Sequence, residues 1–151
     1  MRMWMGLAAV LACGCTADPE PFFSLNDPTI QVQGLSIVDR SAQGASVEAT
    51  VQLHNSNDVP LPLVRRSYTI TIEGFEPFSI SDEVHRTLPA RGYQLVKLPA
   101  AFALDGGDLA GRAWRLEGSI TYRPPGQIRE VLTESYVPLP SVSFSDDGSV
   151  R

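Results

Sequence analysis

The stretch Val47 to Gly74, VEATVQLHNSNDVPLPLVRRSYTITIEG, constrains the fold of this chain more than any other. It joins two alternating runs across a turn-rich connection that holds two prolines. Val47, Ala49, Val51 and Leu53 fall on one face of the first run, and Glu48, Thr50, Gln52 and His54 on the other. That period of two marks a half-buried antiparallel strand. Tyr68, Ile70 and Ile72 repeat it in the second run. Between the runs, Asn55, Asn57 and Asp58 suit turns that bond their own backbone, while Pro60 and Pro62 fix φ and remove two ladder donors. The connection is therefore expected to leave one sheet and cross to another.

The remaining segments extend this pattern. Thr29 to Val38 carries Ile30 and Val32 on one face and Leu35 and Ile37 on a face shifted by one at Gly34, which predicts a bulge. Phe75 to Ser81 predicts a short edge strand, a position that suits Pro77. Ser81 to Gly92 reads as a polar loop, and Tyr93 to Ala100 as a strand ended by Pro99. Asp108 is placed to cap one helical turn through Leu109 and Ala110. Ala113 to Tyr122 predicts a strand with Trp114, Leu116, Ile120 and Tyr122 on one face. Gln127 to Val137 is expected to return as the last strand, and residues 141–151 to form a frayed tail. About seven short strands with regular turn signals predict an all-β fold, a two-sheet antiparallel sandwich with one short helical turn. Tyr68, Ile70, Ile72, Trp114 and Leu116 are expected to share its core.

Asn55-Ser56-Asn57, Pro60-Leu61-Pro62-Leu63, Tyr68 and Gly74 resemble the signature of the late-embryogenesis-abundant type 2 family, the water stress and hypersensitive response domain. That signature is an Asn-Pro-Asn-like turn, a Pro-Leu-Pro-Leu-like crossing, and a Tyr-rich strand ending in Gly. Ser56 stands where the family prefers proline. The resemblance implies a sandwich of fibronectin III or immunoglobulin-like type over residues 28–140 and a role in desiccation or osmotic stress. It names no ligand and no reaction.

The first residues read as a secretion signal. Arg2 precedes the apolar run Leu7 to Ala12, well short of the ~20 residues needed to span a bilayer. Val10-Leu11-Ala12-Cys13 resembles the lipobox of a bacterial lipoprotein, which implies a signal peptide over residues 1–12 and lipid attachment at Cys13. Ala12-Cys13-Gly14-Cys15 fits less well, because Ala is a weaker choice at the aliphatic position. A secretory signal cut elsewhere is the simpler alternative. Multiple acyl chains on Cys13 would anchor the protein stably in the envelope membrane. Gly14, where a retained lipoprotein would carry Asp, implies the outer membrane facing the periplasm. Residues 13–27, with Pro19 and Pro21, form an extended tether.

Composition excludes several functions. The formal net charge is −5 with a pI near 4.9, and no basic run is longer than Arg65-Arg66, so nucleic acid is not an expected partner. The two cysteines fall in the anchor region, leaving none to staple the domain or to serve as a free nucleophile. His54 and His85 have no metal-ligand spacing. Asp105 and Asp108, or Asp146 and Asp147, lack the alternating oxygen ligands of a calcium loop. Ser24, Ser67 and Ser119 have no nucleophile motif around them. No catalytic residue, cofactor or metal is expected, and the chain is read as a non-enzyme. Trp114, Tyr68, Tyr93 and Tyr122 are candidates to line a ligand groove, with core as the alternative, and Trp114 and Tyr68 are read as core. Arg65-Arg66 is read as a solvated face rather than a contact for an acidic partner. The leading function is a lipid-anchored stress-protection protein. The alternative is an envelope adaptor or binding module that docks a periplasmic protein or a small apolar ligand.

Overall fold

The computed structural model describes residues 25–126, 130, 132 and 134–150; residues 1–24, on which the expected signal peptide, the expected lipid attachment at Cys13 and most of the expected tether fall, lie outside the described residues. Seven strands form two antiparallel sheets: β1 (Thr29–Arg40), β2 (Gly44–His54), β3 (Leu61–Ile72), β4 (Phe78–Leu88), β5 (Tyr93–Ala103), β6 (Ala113–Tyr122) and β7 (Ser141–Ser149). The first sheet has the order β1-β2-β5 and the second β4-β3-β6-β7. Together they make the expected all-β sandwich.

Alternation places the core. Val47, Ala49, Val51 and Leu53 on β2 are buried, as are Tyr68, Ile70 and Ile72 on β3 and Trp114, Leu116, Ile120 and Tyr122 on β6. Ile70 lies opposite Leu116 and Ile72 opposite Trp114, so the five expected core residues are neighbours within one sheet. The register of β1 against β2 slips between Val32 and Gly34, the bulge that the shifted pattern predicts. β4 is an edge strand, as expected.

Gly118 is the tightest point of the second sheet. A Cβ there would stand 2.5 Å from the Phe144 ring and 2.8 Å from the Ser67 carbonyl, so the Phe144 side chain occupies the space that a residue at this position would need. Trp114 Nε1 is buried without a hydrogen-bond partner, beneath Gly148.

Several expectations are corrected. β3 begins at Leu61, so only residues 55–60 cross and the second proline lies inside a strand. Pro62 is tolerated because it sits at the strand's start, where its carbonyl accepts from Arg123 N beyond the last β6 pair. Ser81 to Leu88 is no loop: β4 continues through it, with Val84 and Leu88 buried. β5 likewise runs through Pro99 to Ala103. Residues 108–111 make a turn rather than a helical turn, although Asp108 Oδ1 does accept from Ala110 N at 3.0 Å.

The expected last strand over 127–137 is not formed by the described residues of that segment. Glu130, Leu132 and Glu134 are helical, in line with the i, i+3, i+4 spacing of Ile128, Val131 and Leu132. The closing strand is instead β7, in the segment expected to fray. Val142 and Phe144 point inward between serines, and Val150 is clasped by Gly111 N and Arg112 O. A chain ending at Pro140 should therefore lose cooperative urea unfolding and expose β6. Wild-type cooperativity in that truncation would show β7 to be dispensable.

Candidate functional site

The two sheets meet β1 against β7 on one side and β4 against β5 on the other, and the features that differ from an ordinary core lie on the β4–β5 side. At one end sits a cluster of buried amides. Asn55 Nδ2 donates to Val59 O at 2.8 Å and to Pro89 O at 3.0 Å, while its Oδ1 accepts from Asn57 N at 3.0 Å and Asn57 Nδ2 at 2.8 Å. Asn57 in turn exchanges two bonds with the Asn26 backbone, both 2.8 Å. The crossing, the turn before β5 and the segment leading into β1 are thereby tied together.

Midway along, Arg66 and Asp82 face inward from β3 and β4. Arg66 forms a two-pronged pair with Asp82, 2.7 Å on each prong, and its Nη1 donates to Lys97 O on β5 at 2.6 Å. The guanidinium holds the Asp82 carboxyl below its usual range, and Asp82 in turn raises Arg66. Tyr68 OH donates to Pro99 O at 2.6 Å, a second bond from one sheet to the other. Burial pushes the Tyr68 hydroxyl up to about 12, moderated by the nearby Arg66 charge. These two carbonyls belong to the open edge of β5. Pro99 therefore stands where a missing N–H faces away from β2, which is why the strand continues through it.

At the far end lies a cleft of about 590 Å³, lined by Phe75, Phe78 and Phe102 with Arg112 and, at the rim, the exposed Glu76 and Asp105. The rings of Tyr68, Phe78, Phe102 and Phe75 run in series at 6.4, 6.4 and 6.3 Å between centroids. An arginine closes each end: Arg66 lies 5.9 Å from the Tyr68 ring and Arg112 5.3 Å from the Phe75 ring. Arg112 is fixed by Nε donating to Asp108 O at 2.6 Å and Nη1 to Glu73 O at 3.1 Å. Gly74, at φ +83°, makes room for it, since a Cβ there would sit 2.8 Å from Nη1.

The sequence-stated candidates are mostly dispersed. Tyr68, Trp114 and Tyr122 are core, the last bonded to Asp27, while Tyr93 is 61% exposed and stacks on His54 at 4.4 Å. His85 is exposed beside Glu83. Arg66 is no solvated cation but an inward one with a partner; only Arg65 faces water. Asp146 and Asp147 lie on β7 rather than in a turn. Asp108 is held by Ala110 N and by Arg40, which lower its pKa. Among the described residues no group of His, Cys, Asp and Glu is spaced to hold a metal ion, and no helix is long and apolar enough to cross a membrane. Sequence reasoning missed the cleft because its three phenylalanines and Arg112 come from three separate segments.

Solved structures share this architecture. One, the solution structure of a candidate late embryogenesis abundant (LEA) protein, At2g46140.1, is 15% identical with a TM-score of 0.60 over 81% of this chain and 69% of that one. The chain shares the fold of that LEA protein. It matches AT1g01470 from Arabidopsis thaliana at 17% identity and a TM-score of 0.57, over 88% of this chain and 87% of that one. A candidate ApaA protein from Bordetella pertussis matches at 14% and 0.51, over 82% and 94%. No protein-family model and no curated protein sequence matches the chain.

The inter-sheet Tyr68 bond has an alkaline signature. The folded state holds the phenolic proton more tightly than the unfolded chain does. Its contribution is therefore complete below the ordinary value of 10.0 and is lost as pH rises through about 12. Urea midpoints measured from pH 9 upward should fall more steeply for the wild type than for Tyr68→Phe across that window. Parallel curves would contradict the assignment.

Proposed function

We propose that this chain is a non-enzymatic, lipid-anchored envelope protein of the water-stress type, held at the membrane through Cys13 and protecting its surroundings by surface contact during drying or osmotic stress. The observation that carries this reading is the fold shared with a candidate LEA protein over 81% of the chain. The residues behind the sequence resemblance add to it, because each has a structural role. Asn55 and Asn57 build the amide cluster, Pro60 ends the crossing, Tyr68 bridges the sheets and Gly74 admits Arg112. The lipobox-like Val10-Leu11-Ala12-Cys13 supports the anchor.

The face best suited to contact is the outer surface of the four-stranded sheet. Ser81, Ser67, Ser119 and Ser143 lie side by side across β4, β3, β6 and β7. Adjacent strands stand ~4.8 Å apart, so this row presents closely spaced hydroxyls that both donate and accept. Among the charges beside it, Arg115 pairs with Glu117 at 2.7 Å. Such a surface can take over hydrogen bonds that neighbouring groups lose as water is withdrawn.

Palmitate labelling in a bacterial host should disappear with Cys13→Ser and persist with Cys15→Ser. Survival after controlled drying should then fall toward that of the deletion strain in Cys13→Ser but hold in a His54→Ala, His85→Ala double variant. Label that survives Cys13→Ser and vanishes with Cys15→Ser would move the anchor. Collapse of survival in a folded double-histidine variant would mean a chemical site at those residues.

A further inference from the structure

We infer that the cleft between β4 and β5 binds an amphipathic carboxylate, with an apolar chain against Phe75, Phe78 and Phe102 and its carboxylate on Arg112. The two arginines that close the aromatic series are held very differently. Arg66 is neutralised by two prongs from Asp82. Arg112 is fixed only by neutral backbone carbonyls, and among the described residues no carboxylate pairs with it. A guanidinium stays charged under any physiological condition, so the cleft wall carries a half-buried, immobilised and uncompensated positive charge.

Its placement suits recognition rather than mere support. Carbonyls at Nε and Nη1 lock the planar fork and leave Nη2 as a donor of the kind that carboxylates accept. The volume of about 590 Å³ lies within the roughly 300–1,000 Å³ of small-molecule sites, which pair an apolar wall with a few fixed polar groups. Asp108, the residue whose carbonyl positions Arg112, is itself anchored by Arg40 and Ala110 N, so the fork rests on a built loop. Glu76 and Asp105 at the rim oppose an anion; both are exposed and water-screened, whereas Arg112 is half-buried. The inference stands apart from the anchor and from stress protection, and would hold if both failed.

Three probes of one chain length separate the contributions: decanoate, decanol and decyltrimethylammonium, each titrated calorimetrically below its aggregation limit into the full chain near neutral pH. Decanoate should saturate a single site and bind about tenfold or more tighter than decanol, the ratio expected of a charge-assisted hydrogen bond, with the cation weakest. Arg112→Gln should bring decanoate to the level of decanol and leave decanol unchanged. Decanol binding as tightly as decanoate, the cation binding best, or no saturable binding by any probe would each overturn the inference. Binding to the apolar leader would survive Arg112→Gln and so would also count against it. Should that variant fail to fold by circular dichroism, the ranking of the three probes on the wild type decides alone.

Discussion

The rest of the structure depends on the pairing of Asn55 with Asn57. A chain that passes from one sheet to the other must bury backbone groups with no ladder partner, and each such group left unpaired costs about 1–3 kcal/mol. Two amide side chains meet that demand here. Both Asn55 donors go to carbonyls, Val59 O and Pro89 O, and both Asn57 donors go to Asn26 O and Asn55 Oδ1. The backbone joins in, with Asn55 N donating to Gly92 O and Arg91 N to Asn57 O. Leu53 and Leu61, on either side of the crossing, are fully buried, which fixes where each strand stops and starts. Without the amides, β2 and β3 would have no defined path between their sheets.

From that end the β4–β5 side unfolds as a sequence of decreasing closure. The amide cluster is buried and satisfied. The Arg66–Asp82 pair and Tyr68 come next and reach across to the β5 edge, occupying Lys97 O and Pro99 O. An edge strand with free carbonyls invites pairing with another chain, and inward-pointing charge with Pro and Lys on the edge is how such strands are blunted. Beyond them the sheets part, the aromatic series lines the gap, and Arg112 closes it. The same side of the sandwich thus carries its firmest joint and its most open cleft.

Much of the fold was legible where hydrophobic period and turn chemistry agreed. Val47 to Leu53, Tyr68 to Ile72 and Trp114 to Tyr122 alternate cleanly, and Gly34 marked its bulge. It was illegible where tertiary partners outweigh local composition. β4 looked like a loop because its inward position at Asp82 is charged, and only Arg66 from another strand makes that tolerable. β7 looked like a tail because serine, aspartate and glycine are poor strand formers, yet Val142 and Phe144 supply the period and β6 supplies the ladder. Tyr68 and Gly74 were recognised as signature positions, but their partners, Pro99 O and Arg112, lie 31 and 38 residues further along the chain. No local pattern links them.

Urea unfolding of Asn55→Ala tests the central claim most directly, with Asn57→Ala alongside and the exposed Ser56→Ala as control. Each asparagine truncation strands several buried partners at once, so a loss of about 3 kcal/mol or more is expected, with Ser56→Ala within about 0.5 kcal/mol of wild type. Asparagine variants as stable as the control would show that the crossing is held by packing alone, and the account built on the amide cluster would fall.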